Sequence, residues 1–340
     1  MSWIGIDAHK DTLAVAEVDD QGRQLDCRTF VNNPDGYTEL VHWLANRCAQ
    51  RVGIEGSGSL GRQAALALQR ANFEVVEVPP QMTAVSRRHS RSQGKTDPID
   101  ALIIARIVLR DEDLPSIRPE GWLDDLRALV CFRRDLIADR NREAGRLHAD
   151  LEQLRPGYQD RIQKLSQPRQ LIKVRGLLAG DDRLRARLAR QRVTRLFALC
   201  RQIEAVTNEI SQAVHGLHDD LVAIPGVADL SAAEILAEVG DVGRFRTKAQ
   251  FAMSNGTAPV PASSGRTHRY RLNRGGNRQL NRILHFVALT QISRDPAGKA
   301  YYLRKQSEGR SRKDALRCLK RKISDRVFQA LRRQADKVAA

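Results

Sequence analysis

The stretch SWIGIDAHKDTLAVAEV, residues 2–18, contains two apolar runs separated by a short charged turn. Residues 2–7 and 12–18 are each rich in Ile, Val, Leu and Ala, and the interval between them is too short for a helix. The pattern predicts two strands joined by a turn. Residues 24–31 (QLDCRTFV) supply a third strand. Helical spacing follows over 34–48, where Leu40, Val41 and Leu44 are the apolar positions. A short strand (RVGIE, 51–55), a helix (60–71) and a further strand (FEVVEV, 73–78) complete the run. The segment KTDPIDALIIARI (95–107) then opens a helix, with Pro98 close to its start.

Three strands in a meander, then β-α-β, then a helix is the element order of an RNase H-like fold. The expected fold class is α/β followed by α. Residues 1–118 form the RNase H-like domain, 119–220 a helical, coiled-coil-like linker, and 221–340 a mainly α-helical domain. In the linker Leu126, Leu129, Leu136, Leu147, Leu151 and Leu154 recur at helical spacing. Leu196, Leu199, Ile203, Val206, Ile210, Val214 and Leu217 form a seam spaced by three or four. Such a seam serves equally for packing within one chain and for dimerisation. From residue 221 an Ile-Pro-Gly-Val turn followed by a helix reads as a helix-hairpin-helix-like motif, with Gly226 at the hairpin offering backbone N–H groups to a phosphate.

Across 340 residues Lys and Arg outnumber Asp and Glu by 57 to 40, a formal charge of +17. That excess favours a polyanionic partner, because each neutralised phosphate also releases counterions. No apolar run approaches the length needed to span a bilayer, and MSWIGIDAHK lacks the pattern of a secretory leader, so a cytoplasmic protein with no membrane partner is expected. The five cysteines show no CxxC spacing, which argues against a zinc site or a disulfide framework.

Asp7 ends the first strand and Glu55 the fourth; Asp97 and Asp100 lie at i, i+3 on one face of the helix that follows the last strand. In an RNase H-like sheet the first and fourth strands are neighbours, and that helix packs across them. All four carboxylates then converge, and hard divalent cations, Mg²⁺ or alternatively Mn²⁺, relieve the repulsion. Two such ions can clamp the attacking and leaving oxygens of a phosphodiester. His9, Lys10 and Asp11 read as turn residues. Residues 56–61 (GSGSLG) match a dinucleotide-binding fingerprint in form only. The preceding strand is short and late, Glu55 would abut a pyrophosphate, and a tight turn beside nucleic-acid backbone is the simpler reading.

In the last third, Ser263 and Ser264 precede Gly265 amid a run of arginines that includes Arg266, Arg269, Arg271, Arg274 and Arg278. Serine attacks phosphorus only when a base, a metal or cationic surroundings activate it, and arginines can hold the phosphate bidentately meanwhile. By spacing alone a Ser-Ser-Gly loop is a flexible turn. Arg274-Gly275-Gly276-Asn277 reads as a turn and helix entry beside a phosphate.

Taken together, these residues resemble the DEDD transposases of bacterial insertion sequences, in the family numbered one hundred and ten, which includes the Piv-type invertases. The N-terminal part is similar to the family's RuvC-like domain: GIDAHK carries Asp7, GIEGSGSLG carries Glu55, and KTDPIDA carries Asp97 and Asp100. IPGV, AMSNGTAPV, a Ser-Gly pair and RxGN before a basic helix are similar to the family's transposase domain. Gly275 stands where the family more often has Arg or Lys, and Ser263 beside Ser264 leaves two serines at the critical position. The resemblance implies that Ser264 is a nucleophile forming a covalent 5′-phosphoserine–DNA intermediate. It also implies that carboxylate-bound Mg²⁺ completes a shared site, and that a structured noncoding bridge RNA pairs with target and donor DNA. The implied partners are DNA, that RNA and further copies of the chain as a homo-oligomer, in a bacterial cytoplasm and at the nucleoid when active. The rival readings are a RuvC-like hydrolytic endonuclease of the junction-resolvase type, and a non-catalytic RNA- or DNA-binding protein. An actin-like kinase is disfavoured by His9 and Lys10 where its first loop needs glycine and threonine.

Overall fold

The computed structural model describes residues 1–80, 82–84, 97–117, 121–217, 219–261, 270–273 and 275–339. The chain divides after Glu120 into two compact units.

In the first unit strands β1 (Ser2–Ala8), β2 (Thr12–Val18), β3 (Gln24–Val31), β4 (Ala49–Glu55) and β5 (Val75–Glu77) form one sheet in the order β3-β2-β1-β4-β5. β1 pairs antiparallel with β2 and parallel with β4, and β4 pairs parallel with β5. A sheet in which only the second strand runs against the others, with the first and fourth adjacent, has RNase H-like topology. The expected strand 73–78 shortens to three residues. It pairs with β4 only from Val75 to Glu77, and Pro79 and Pro80 follow, which cannot donate to a ladder.

Side chains alternate across the sheet. Ile4 and Ile6 of β1, Leu13 and Val15 of β2, and Val52 and Ile54 of β4 pack in one core with Leu40, Trp43 and Leu44 of α1 (Pro34–Ala45) and Ala64, Ala65 and Leu68 of α2 (Arg62–Arg70). The opposite face is lined by small residues and covered by α3 (Asp97–Arg110). A Cβ on Gly5 would lie 2.2 Å from the Ala101 carbonyl oxygen and 2.2 Å from the Ala105 nitrogen. One on Gly53 would lie 2.1 Å from Val108 Cγ2. Ala14, Ala16 and Ala101 are all buried together on this side. The helix backbone therefore lies directly on β1 at Gly5, while Ile104 and Val108 of the helix reach over Gly53 and join Val76 and Val78 in a second small core.

The second unit is helical except for a two-stranded hairpin, β6 (Pro259–Pro261) and β7 (Tyr270–Leu272). Its helices are α4 (Trp122–Leu154), α5 (Pro168–Leu177), α6 (Leu184–Val214), α7 (Asp219–Val222), α8 (Asp229–Val239), α9 (Lys248–Ser254), α10 (Arg278–Arg294), α11 (Pro296–Ser307) and α12 (Arg312–Ala339). α4 and α6 are long partners, and most of the apolar seam of α6 is buried within this chain, Leu217 at its end remaining exposed. Ile203, Val206, Ile210 and Val214 join Leu126, Val130 and Leu136 in a core that continues into α8, α10 and α12. At the other end Leu147, Leu151, Leu154 and Leu196 form a separate core capped by Leu171 and Val174 of α5. Between the two cores the seam turns ionic. Glu143, only 5% exposed, accepts from Arg192 at 3.0 Å and Arg146 at 3.1 Å, and Asp150 accepts from Arg192 at 2.8 Å. Among the described residues no helix is long and apolar enough to cross a membrane.

The helix-hairpin-helix-like segment has a first arm of a single turn, α7, and Gly226 adopts φ +88° between it and α8. The hairpin is held against α10, where Gln291 Nε2 donates to the Pro225 carbonyl at 2.7 Å.

Substituting Gly5 by Ala forces a methyl group against helix backbone that cannot step aside. Gly5→Ala is expected to cost about 3 kcal/mol or more, the upper range for overpacking, measured as a shift in the urea unfolding midpoint. Gly58→Ala, where a Cβ meets nothing within 4 Å, serves as the control and stays within about 0.5 kcal/mol.

Candidate active site

Two short sequences, Gly5-Ile6-Asp7 on β1 and Gly53-Ile54-Glu55 on β4, run side by side in register, so that Asp7 pairs with Glu55. Because residues two apart share a face, each acid stands on the α3 side, two positions beyond the glycine that admits the helix. Asp7 is 8% exposed, and Glu55 is half-buried. α3 begins at Asp97, and its first turn carries both Asp97 and Asp100, the latter 2% exposed. The positive end of the α3 dipole lies at this first turn.

A fifth group, His9, reads from the sequence as a turn residue. His9 Nε2 lies 3.1 Å from Asp7 Oδ2 and 3.2 Å from Asp97 Oδ1, so the imidazole bridges two of the acids. Burial raises the Asp7 carboxyl above its ordinary value. The charge of His9 opposes that rise, while Asp100 and Asp97 add to it. Asp7 thus lies within reach of the charges of both α3 carboxylates.

The β1–β2 turn holding His9 is tied to the loop after β4. Asn32 Nδ2 donates to the His9 carbonyl at 2.7 Å and to the Leu60 carbonyl at 3.0 Å, while its Oδ1 accepts from the Tyr37 hydroxyl at 2.6 Å. Gly56, at φ +76°, starts that loop directly after Glu55.

Donor atoms of Asp7, His9 and Asp97 all lie within 4.8 Å of one another, a group able to hold a metal ion. Hard carboxylate oxygens with one imidazole, on an acid whose ionised form is disfavoured first by burial and then by Asp100 and Asp97, fit a divalent cation.

Of the residues expected around the serine, Ser264, Arg266, Arg269 and Arg274, and Ser263 with them, lie outside the described residues; the strands β6 and β7 are the two ends of that segment. Arg271 is exposed on β7, and Arg278 is exposed at the start of α10. Asn277 caps α10, its Oδ1 accepting from Leu280 N at 2.9 Å, while its Nδ2 donates to Glu238 Oε2 at 2.7 Å. Gly226 is exposed at the hairpin before α8. Gly256 and Gly276 touch, since a Cβ on Gly276 would lie 2.3 Å from the Gly256 nitrogen. The two motifs AMSNGTAPV and RGGN therefore meet backbone to backbone at the base of the hairpin.

Comparison with known proteins adds to this geometry. A family model described as a transposase, of the DEDD class of IS110, matches residues 4–156, and one described as "Transposase IS116/IS110/IS902 family" matches residues 219–303. A protein of insertion element IS116 from Streptomyces clavuligerus is 26% identical, covering 97% of this chain and 94% of its own. One of insertion element IS900 from Mycobacterium paratuberculosis is 27% identical, covering 98% and 96%. A mini-circle putative transposase for IS117 from Streptomyces coelicolor is 25% identical over 90% and 88%. Among solved structures, the T. thermophilus RuvC in complex with a Holliday junction substrate aligns with 34% of this chain and 99% of its own, at 15% identity and a TM-score of 0.28. The fold class rests on strand order and direction, not on that overlap.

If the acids hold a cation, thermal melts reveal it without catalysis. At Mn²⁺ a hundredfold above its dissociation constant the wild type should gain about 2.7 kcal/mol, and Asp7→Asn and Asp100→Asn should lose that gain. Without metal, Asp7→Asn should melt no lower than wild type, because the ionised carboxylate it removes is disfavoured in the folded state. Lys10→Ala should behave as wild type throughout.

Proposed function

We propose that this chain, a member of the IS116/IS110/IS902 transposase family by its matches over residues 4–156 and 219–303, is a DNA phosphoryl-transfer enzyme that cuts and rejoins DNA through Ser264, with Asp7, Glu55, Asp97 and Asp100 as a Mg²⁺ site. The observation that carries the metal half is the meeting of Asp7 with Asp97, Asp100 and His9 where β1 ends beside the first turn of α3. Mn²⁺ would satisfy the same donors. A divalent cation bound there supplies positive charge against a scissile phosphodiester. The chain's own part is to hold the carboxylates together, with α3 seated on glycines and the neighbouring loops tied through Asn32.

The serine half is supported by the match of residues 219–303 to the family and by the cationic sequence around Ser264. In the proposed step Ser264 Oγ forms a bond to phosphorus as the P–O3′ bond breaks. The 5′ phosphate stays on the serine, and the proton lost from the hydroxyl ends on the departing 3′ oxygen. A 3′ hydroxyl of the new partner strand then attacks the phosphoserine and regenerates the free serine. The phosphoester bond count is conserved, so no nucleotide cofactor is consumed.

Arg266, Arg269, Arg271, Arg274, Arg278, Asn277 and the Gly226 hairpin are proposed to contact phosphate backbone. Sequence choice is delegated to a structured noncoding RNA that pairs with target and donor DNA, the protein reading backbone and shape. The functional form is a homo-oligomer in which one copy's carboxylates serve another's serine. In domain terms, residues 1–118 carry the metal site and 221–340 the serine, with helices of 119–220 sharing the core of the second unit.

The decisive experiment is a denaturing trap of protein incubated with Mg²⁺, element-end DNA and co-purified RNA. A covalent protein–DNA adduct lost in Ser264→Ala, kept in Ser263→Ala and lost in Glu55→Ala is the expected outcome. Metal-dependent cleavage that survives Ser264→Ala with no adduct would overturn the serine step in favour of hydrolysis by water.

A further inference from the structure

A cavity of about 700 Å³ opens in the second unit between α10 and α12. Arg278, Asn281, Arg282 and His285 are spaced three and four apart on α10, so one helical face lines it, and Lys320 of α12 faces them. Gly256 and Gly276 form its floor, so that a ligand there meets backbone rather than side chains. No carboxylate is among the described residues that line it. Arg282 is partly engaged elsewhere, with Glu234 at 3.6 Å and Gln279 Oε1 at 3.1 Å.

Lys320 is the unusual member. It is 9% exposed, and its Nζ donates to a neutral acceptor, Asn281 Oδ1, at 2.6 Å. Asn281 is itself fixed by Nδ2, which donates to the Asn255 carbonyl at 2.8 Å. Burial, and then the like charge of Arg317, push Lys320 down to about 8. Burial and the Lys320 charge also pull His285 below its ordinary value. Cations held close together in a recess, with their lining free of carboxylates, are an electrostatic cost that a bound anion removes.

We propose that this recess binds a phosphodiester of the nucleic-acid backbone, with Lys320 and Arg278 as its charged ligands and His285 and Asn281 as polar ones. The site adjoins the base of the β6–β7 hairpin through Asn273, Gly256 and Gly276. It rests on the reading of the chain as a nucleic-acid recombinase but not on which group attacks phosphorus. The recess would fix the register of a strand entering the second unit, a positioning role with no part in bond breaking.

The test is fluorescence anisotropy with full-length protein in EDTA, across a salt series, using a generic duplex DNA and a hairpin RNA as separate probes. One phosphate contact contributes a slope of about 0.9 in log affinity against log salt on duplex DNA, roughly eightfold in affinity at 0.1 M. Lys320→Met should lose about that much in affinity and slope on at least one probe, and Arg278→Gln, an exposed position, a comparable or smaller amount. Lys173→Met on α5 sets the background for removing any one cation. Loss with DNA, with RNA or with both identifies the source of the phosphate. Unchanged affinity and slope in both variants would overturn the site and leave the serine reading intact. A lowered melting temperature for Lys320→Met with an unchanged salt slope would make Lys320 a structural pin between α10 and α12, which also overturns it. Failure of the wild type to bind either probe would bring down the recombinase reading as well.

Discussion

The first unit depends on one close approach, α3 lying directly on the backbone of β1 at Gly5. Helices usually pack on sheets through an intervening layer of large apolar side chains. Here Gly5 removes that layer on β1 and Gly53 makes room for Val108 of the helix on β4, and Asp7 and Glu55 follow two residues later on the same face. The first turn of α3 is thereby brought down to the strand ends, and Asp100 is buried beside Asp7 without a long side chain to reach across. The glycines cost conformational entropy. What they provide is distance control, because several like charges are held close together by the seating of the helix on the strands.

The second unit handles charge in the opposite sense. Its acids are largely consumed within the fold: Glu234 and Glu238 of α8 take arginines of α4, and Glu238 also takes the Asn277 amide. That leaves cations in excess on α10 and α12, where the recess forms. The two units therefore present complementary chemistry, carboxylates gathered in one and uncompensated cations in the other, both suited to a phosphodiester.

Much of this was legible in the sequence, for identifiable reasons. Two apolar runs on either side of a turn too short for a helix marked β1 and β2, and the expected acid positions came from knowing which strands such a sheet makes adjacent. His9 was not legible as a site residue: two positions past Asp7 it looks like any turn residue, and it is placed by long-range contacts, among them the clamp of Asn32 on its carbonyl and on Leu60. The α6 seam was legible as a helix face, but a repeat of three and four does not say whether its partner is in the same chain; α4 supplies it. Asn281, His285 and Lys320 form no motif at all, being brought together only by the packing of α10 against α12.

The ionic interval along α4 and α6 has a further consequence. Two helices joined by apolar contacts alone can slide by a turn at modest cost, since one leucine substitutes for another. Glu143, buried and held by Arg146 and Arg192, forbids this, because a slip of one turn would strand a charge between two oily plugs. The pair thus behaves as a keyed joint, with the contact of Glu143 with Arg192 marking its register across the two helices.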